Sequence, residues 1–227
     1  MKMRQFFLFI IFLSGFSEAL FSQSTAQVIT PNLASGSSST AIWRFEINRV
    51  QAVYDATHWT SQGIYGPITI KQLEWRAHSD RASTITYPSV EIYIQPANVD
   101  YSAVSTTFAS NRSTSLGTPN YSGPVTVNTG TAGTFIINIP LTVPFTYDPS
   151  LGTDLLVELV ILAAPTPATS TSISCSDNSS TYKASVVRSN GSTTALTGTI
   201  SQFAPFFAAL MTILPRMYPL VAVTHGA

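Results

Sequence analysis

Residues 134–162, TFIINIPLTVPFTYDPSLGTDLLVELVIL, decide the fold of this chain. Two apolar runs rich in β-branched residues flank a segment of turn-forming residues at 144–152, PFTYDPSLG. In the first run, apolar residues at every second position share one face of an extended chain: Phe135, Ile137, Ile139 and Leu141. A period of two is that of a β-strand, so the stretch predicts two strands joined by a turn.

The second run, residues 155–162 (LLVELVIL), is apolar on both faces of the predicted strand. Such strands are typical of the middle of a sheet, where both faces are covered. Glu158 is the only charged residue in this run. A buried charge costs free energy unless it is paired, so a buried Glu158 requires a cationic partner.

Arg76 is the predicted partner of Glu158. It follows the apolar Trp75 at the end of another predicted strand. We therefore expect a structural ion pair between Arg76 and Glu158 across the sheet. The alternative is that Glu158 faces solvent and that Arg76 hydrogen-bonds loop carbonyls, since sequence alone specifies strand register only weakly.

The same period of two recurs from Thr40 onward, and no long amphipathic helical window follows the N-terminal segment. Turn-forming pairs punctuate the chain, and Asn190-Gly191, between SVVR and TTAL, is the strongest hairpin signal. Many short strands at regular spacing predict an all-β fold, namely an antiparallel two-sheet β-sandwich of jelly-roll type.

The predicted sandwich domain covers residues 40–213, with its last strand within 203–213; the alternative for residues 203–213 is a membrane-associated tail. Residues 27–39 are rich in Ser and Thr and predict a linker. Residues 214–227 contain prolines that interrupt an apolar run and predict an irregular tail, because each proline inside a helix costs about 3 kcal/mol.

Residues 68–76, ITIKQLEWR, predict a local irregularity in one strand. Ile68 and Ile70 share one parity, whereas Leu73 and Trp75 share the other. An extra residue near Lys71 would bring all four apolar side chains to the same face. We therefore expect a β-bulge at that point.

Residues 1–26 have the pattern of a secretory signal peptide and its cleavage region. Lys2 and Arg4 form a basic start, and the apolar run at 6–13, FFLFIIFL, is too short to span a bilayer as a helix. The cleavage positions that fit are after Ala19, Ser22 and Ala26, with the region 22–26 favoured. The alternative is a single membrane anchor.

The composition narrows the class of partner. Charged residues are 10% of the chain and the formal net charge is +0, so no basic stripe is available to neutralise nucleic-acid phosphates. Hydrophobic residues are 44% of the chain, enough to support a folded core. We expect a secreted or cell-surface protein without an integral membrane span in its mature form.

Several motifs, in a fixed order, resemble those of a family of secreted bacterial β-sandwich proteins of unassigned function, some of which carry PEP-CTERM sorting tails. The matching segments are residues 49–56 (RVQAVYDA) followed by Trp59, 66–70 (GPITI) with 73–76 (LEWR), 105–111 (STTFASN), 121–124 (YSGP) and 144–156. They span residues 49–161, with weaker similarity to about residue 213. The resemblance implies an exported surface or matrix sandwich and supplies no catalytic residues.

The chain departs from that pattern at several positions. Trp59 and Trp75 stand where the family usually has Phe, Thr153-Asp154 replaces a usual Asn, and Glu158 replaces a common Asp. The tail lacks both a Pro-Glu-Pro motif and a terminal basic cluster, so the resemblance does not extend to sorting through such a tail.

Trp59 and Tyr65 are the candidate ligand-binding residues. They flank a turn-like segment, TSQGIYG, where exposed rings could stack on sugar rings. The alternative is that these rings belong to the core. For Trp43 and Trp75, which are in register with core aliphatic residues, we expect core positions.

No motif indicates catalysis or a dedicated metal site. The sequence contains no G-x-S-x-G elbow, no H-E-x-x-H and no paired cysteines. Six aspartates occur singly: Asp55, Asp80, Asp100, Asp148, Asp154 and Asp177. We therefore assign no catalytic residue, metal ligand or cofactor, although one or two of these aspartates could join backbone carbonyls around a structural calcium.

These observations predict an exported, non-catalytic component of the cell surface or extracellular matrix. Glycans or surface polymers are its expected partners. One alternative is a carbohydrate-binding module that uses Trp59 and Tyr65. Another is a hydrolase whose site is built from the scattered carboxylates.

Overall fold

The computed structural model describes residues 24–30, 37–40, 42–175, 179–201, 205 and 207–213. The strands are β1 (Ser24–Thr30), β2 (Ser37–Ser39), β3 (Asn48–Tyr54), β4 (Ile68–Arg76), β5 (Ile85–Pro96), β6 (Tyr121–Val127), β7 (Phe135–Tyr147), β8 (Leu155–Ile161), β9 (Ile173–Cys175), β10 (Ala184–Asn190), β11 (Thr199–Ser201) and β12 (Phe207–Ile213). Two single-turn helices, α1 (Thr57–Thr60) and α2 (Ser179–Tyr182), and three 3-10 helices (Tyr101–Ala103, Phe108–Asn111 and Pro149–Leu151) lie in the connections.

Ten of these strands form two antiparallel sheets that pack face to face, and β2 and β9 form a separate two-stranded sheet. The four-stranded sheet has the order β1-β12-β4-β7, and the six-stranded sheet has the order β11-β10-β3-β8-β5-β6. One hydrophobic cluster, drawn from both sheets, fills the space between them. The prediction of an all-β antiparallel two-sheet sandwich is confirmed, and its jelly-roll subclass stays a prediction.

Aromatic rings fill much of the space between the sheets. The Trp43 ring packs edge-on against Trp75 and Tyr87, with centroid distances of 5.3 and 5.1 Å. All three rings are buried, as the sequence pattern predicted for Trp43 and Trp75. Edge-to-face pairs of this kind are worth about 0.5–1.5 kcal/mol beyond the area that they bury.

Strand β8 lies inside the six-stranded sheet, between β3 and β5. All seven of its residues are buried. Leu155, Val157, Leu159 and Ile161 face the core between the sheets. Because side chains alternate along a strand, Leu156 and Glu158 lie on the outer face of the sheet. The predicted position of this strand in the middle of a sheet is confirmed.

Strand β4 contains the predicted bulge. Ile70 pairs with Met211 of β12 and Gln72 pairs with the adjacent Leu210, so Lys71 is an extra residue without a counterpart. The register with β7 also shifts between Ile70 and Gln72. As a result Ile68, Ile70, Leu73 and Trp75 all enter the core.

The predicted linker at 27–39 is wrong for the parts that the structure describes. Strand β1 pairs along its whole length with β12, and β2 pairs with β9. Val28 and Thr30 of β1 are buried against the sandwich. The Ser/Thr-rich composition concealed these strands because their partners are distant in sequence, and local patterns carry no signal of distant pairing.

The chain ends of the described sandwich are otherwise as expected. The predicted last strand within 203–213 is present as β12. The predictions for residues 1–23 and 214–227 lie outside the described residues. Within the described residues, no helix has the length and apolar character needed to cross a bilayer.

The hairpin signal at Asn190-Gly191 marks a turn but not the predicted pairing. Gly191 has a positive φ of 70° and directly follows β10. On the side of β10 away from β3, the pairing strand is β11, at Thr199–Ser201. The segment TTAL, which follows the turn, does not pair with β10. Residues 191–198, hereafter the 191–198 loop, instead extend toward a neighbouring loop.

Deleting Lys71 should unfold the sandwich. Without the extra residue, Leu73 and Trp75 would point away from the core while Ile68 and Ile70 still face it. We expect loss of cooperative thermal unfolding and of the near-UV circular dichroism signal. The control is Lys71→Ala, which keeps the residue count and should change the free energy of unfolding by no more than about 0.5 kcal/mol. Native-like unfolding of the deletion variant would contradict the role of the bulge.

Candidate functional site

The carboxylate of Glu158 forms the centre of a buried charged network on the outer face of the six-stranded sheet. Arg49 Nε donates to Oε1 at 2.9 Å. Arg112 donates through Nη2 to Oε1 at 2.6 Å and through Nε to Oε2 at 2.8 Å. Gln51 Nε2 donates to Oε2 at 2.7 Å. The Glu158 side chain has 0% exposure, so protein groups replace its water.

The same network holds two loops on the sheet: the 191–198 loop, and residues 97–116, hereafter the 97–116 loop. Arg49 Nη1 donates to the Ala195 carbonyl at 2.9 Å, and its guanidinium lies 4.7 Å from the centre of the Phe108 ring. Gln51 Nε2 donates to the Phe108 carbonyl at 3.0 Å, and Gln51 Oε1 accepts from Asn111 Nδ2 at 3.0 Å. Strand β3 therefore fixes both loops through Arg49 and Gln51.

The predicted ion pair between Arg76 and Glu158 is wrong. Arg76 ends β4 in the four-stranded sheet, and that sheet packs against the opposite face of β8. The two oxygens of Glu158 are instead taken up by Arg49, Arg112 and Gln51: Oε1 accepts from Arg49 and Arg112, and Oε2 accepts from Gln51 and Arg112. Sequence reasoning singled out Glu158 but not its partners, because the pairing of β3 with β8 brings Arg49 and Gln51 to it and the 97–116 loop brings Arg112. The alternation of polar Arg49 and Gln51 with apolar neighbours was the available signal.

This arrangement removes three charged groups from water. Two guanidinium groups and one carboxylate are removed from water, and each ion costs several kcal/mol to desolvate. The bidentate geometry of the Arg112 pair and the additional hydrogen bonds from Arg49 and Gln51 offset that cost. None of these groups is left accessible for a substrate, because the Glu158 side chain is buried and the two arginine side chains are only 10% and 9% exposed.

Three of the single aspartates come together at one end of the six-stranded sheet. Carboxylate oxygens of Asp55, Asp100 and Asp154 lie within 4.8 Å of one another. Asp55 follows β3, Asp154 precedes β8 and Asp100 follows β5 by a few residues. Because these three strands are neighbours in the sheet, their ends meet. The sequence placed these residues far apart, and only the pairing of the strands joins them.

Backbone amides already occupy most of these carboxylates. Asp154 accepts from the amides of Ala56, at 3.2 Å, and Tyr101, at 2.7 Å. Asp55 accepts from the amide of Thr57 at 2.6 Å, and Asp100 caps a 3-10 helix through the amide of Ser102 at 2.8 Å. These bonds hold three chain segments together at the ends of the strands.

Burial raises the pKa of Asp154 to about 6, and the neighbouring carboxylates of Asp55 and Asp100 add to this rise. The backbone amides of Tyr101 and Ala56 act in the opposite direction. A cleft of about 210 Å³, lined by Asp100 and Asp154, opens beside the cluster. Oxygen ligands at this spacing suit a hard divalent cation, and among the described residues this is the one group of three acidic side chains close enough to hold an ion. A structural calcium, which the sequence analysis left open without assigning, would lie here.

The two candidate aromatic residues, Trp59 and Tyr65, differ in exposure to solvent. Trp59 is 0% exposed and packs edge-on against Tyr147, with ring centroids 5.0 Å apart. The prediction that Trp59 offers a surface ring is therefore wrong, because α1 turns the indole toward the core. Tyr65 is 57% exposed, but a shared platform with Trp59 is absent.

Comparison of the chain with protein-family models, with curated proteins and with solved structures finds no significant match.

Replacing Glu158 by Gln should cost about 3–5 kcal/mol of unfolding free energy, because it leaves two buried guanidinium groups without a counter-charge. The control is Glu91→Gln on the adjacent strand β5, where Tyr93 donates to the carboxylate in a part-buried position. We expect that variant to lose no more than about 1 kcal/mol. Urea denaturation measures both values, and similar losses would contradict the importance of the network.

Asp154 should make the sandwich less stable as pH rises. Its pKa is raised from 3.8 to about 6 in the fold, so the folded state binds the proton more tightly than the unfolded chain. The resulting stabilisation is complete below about pH 4 and is lost as pH rises through about 6. We expect the unfolding free energy of the native chain minus that of Asp154→Asn to fall between pH 4 and 7 by on the order of 2 kcal/mol.

The matched control for this pH series is Asp80→Asn. Asp80 is exposed and also accepts a backbone amide, that of Ala132, at 2.9 Å. Its substitution should leave the steep change around pH 6 intact. A difference between the native chain and Asp154→Asn that stays constant across the pH series would disprove the raised pKa of Asp154.

Proposed function

We propose that this chain is an exported, non-catalytic β-sandwich protein that acts as a component of the cell surface or extracellular matrix. The observation that carries the proposal is the N-terminal pattern of basic residues, apolar run and small residues at 1–26, placed directly before a β-sandwich. Its composition, low in charge and rich in hydroxyl side chains, suits a protein that works outside the cell.

The use of its polar groups supports a structural role. Glu158, the one charge in the most apolar strand, is enclosed by arginines and a glutamine. The carboxylates of Asp55, Asp100 and Asp154 cap backbone amides. These side chains, which would be the first candidates for acid–base chemistry, hold the loops in place.

The start of β1 narrows the proposed cleavage position. Strand β1 begins at Ser24 and pairs from its first residue with β12. Cleavage after Ser22 would leave this pairing whole, whereas cleavage after Ala26 would remove three residues from it. We therefore propose Gln23 as the first residue of the mature chain.

The two alternative functions have less support. The burial of Trp59 removes the aromatic surface on which the carbohydrate-binding alternative was based. A glycosidase needs two carboxyl groups about 5–9.5 Å apart around its substrate. The three clustered aspartates are already committed to the backbone: both oxygens of Asp154 accept amides, and Asp55 and Asp100 each accept one.

Cell fractionation tests the proposal. The full chain, expressed in a bacterium, should appear in the medium or envelope fraction, and mass spectrometry of the isolated protein should find an N-terminus at Gln23. A variant that lacks residues 1–22 is the control and should stay in the cytosol in folded form. Retention of the full chain in the cytosol with an uncut N-terminus would overturn the proposal.

A further inference from the structure

A polar cleft lies between β10 and the segment that leads into β11. It encloses about 430 Å³, within the range of about 300–1,000 Å³ that is usual for small-ligand sites. Its lining residues are Arg188, Ser189, Asn190, Thr197, Gly198 and Thr199. Five of these six residues have polar side chains, and Arg188 is the charged one among them.

Arg188 supplies a positive charge that the described residues do not neutralise. Arg44 is the nearby cation, and its own charge is paired with Glu46 at 2.9 Å. Burial, together with the like charge of Arg44, lowers the pKa of Arg188. Among the described residues, no carboxylate pairs with Arg188. The charges of Arg44, Glu46 and Arg188 therefore sum to one positive charge at the cleft, which favours an anionic ligand.

The wall of the cleft is held in place before any ligand arrives. Two carbonyls of the 191–198 loop accept hydrogen bonds from outside the loop. The Ala195 carbonyl accepts from Arg49 Nη1, and the Leu196 carbonyl accepts from the Phe108 amide at 3.1 Å. The Gly198 amide donates to the Thr106 carbonyl at 2.8 Å. Contacts of this kind reduce the entropy that a ligand must remove on binding.

Gly198 permits the close approach that shapes the cleft. A Cβ atom at this position would lie 2.5 Å from the Arg188 carbonyl oxygen, which is closer than real side chains come. Any larger residue would separate the loop from β10 at the point where both line the cleft. The backbone therefore fixes the distance between Arg188 and the opposite wall.

We propose that this cleft binds a carboxylate-bearing sugar unit of an acidic polysaccharide, with Arg188 as the anchoring cation. A guanidinium forms two parallel hydrogen bonds with a carboxylate. Because its donors are held in a fixed planar geometry, this contact is directional as well as electrostatic. Ser189, Asn190, Thr197 and Thr199 supply hydroxyl and amide groups for sugar hydroxyls. The choice of a polysaccharide as the source of the carboxylate rests on the proposed extracellular function.

Isothermal titration calorimetry of the folded sandwich tests the site with three probes: trigalacturonate, neutral maltotriose and sodium sulfate. We expect trigalacturonate to bind at least tenfold more tightly than either of the others. Arg188→Gln should weaken trigalacturonate binding at least tenfold. The charge-matched control, Lys71→Gln at the exposed bulge of β4, should bind like the native chain. Thermal unfolding checks that each variant is folded.

A second variant keeps the test independent of Arg188. Thr199→Glu places a carboxylate at the exposed rim of the cleft and should abolish trigalacturonate binding by repulsion while Arg188 remains. Equal binding of trigalacturonate and maltotriose, equal effects of Arg188→Gln and Lys71→Gln, or no binding of trigalacturonate would each overturn the proposal. Sulfate binding as tight as that of trigalacturonate would overturn the polysaccharide and leave a free-anion site. Because these measurements use purified protein, their failure leaves the outcome of the fractionation experiment unaffected.

Discussion

The carboxylate of Glu158 has no exposed surface, and its two oxygens accept hydrogen bonds from two arginines and a glutamine. A charge in that position on β8 is tolerable only if cations come to it, since an unpaired buried ion costs several kcal/mol. Arg49 comes from the adjacent strand β3, whereas Arg112 comes from the 97–116 loop. The loop can satisfy Glu158 only by covering the outer face of the sheet. The ion pair therefore determines where the irregular part of the chain lies.

The two clefts described above depend on this arrangement. Arg49 also binds the Ala195 carbonyl, which fixes the 191–198 loop beside Arg188. The 97–116 loop carries Asp100 to the ends of β3 and β8, where it meets Asp55 and Asp154. The outer face of the six-stranded sheet thus has a small hydrophobic cluster of its own, centred on Phe108, Leu156 and Val187. A sandwich that buries only the space between its sheets would offer neither cleft.

Parity along the strands assigns each side chain to its face, and one extra residue changes that assignment. In β8, alternation sends Val157 and Leu159 to the core and Glu158 outward. In β4, the bulge at Lys71 reverses the alternation, so apolar residues of both parities reach the core. The two strands therefore distribute their apolar side chains between the faces of their sheets in different ways. β8 is covered on both faces and tolerates a charge on the outer one, whereas β4 concentrates its apolar residues on one face.

The sequence by itself determined the strand class, the central position of β8, the bulge in β4, the last strand and the burial of Trp43 and Trp75, because each depends on the local period of apolar residues. It also singled out Glu158 as the one charge in an apolar strand. Only the tertiary structure decided that Arg49 and Arg112 pair with it rather than Arg76, that residues 24–30 form a strand, that Trp59 is buried, and that three single aspartates meet. Each of these depends on which distant strands become neighbours. The total burial and strand pairing of the folded chain decide that arrangement, and no local sequence pattern specifies it.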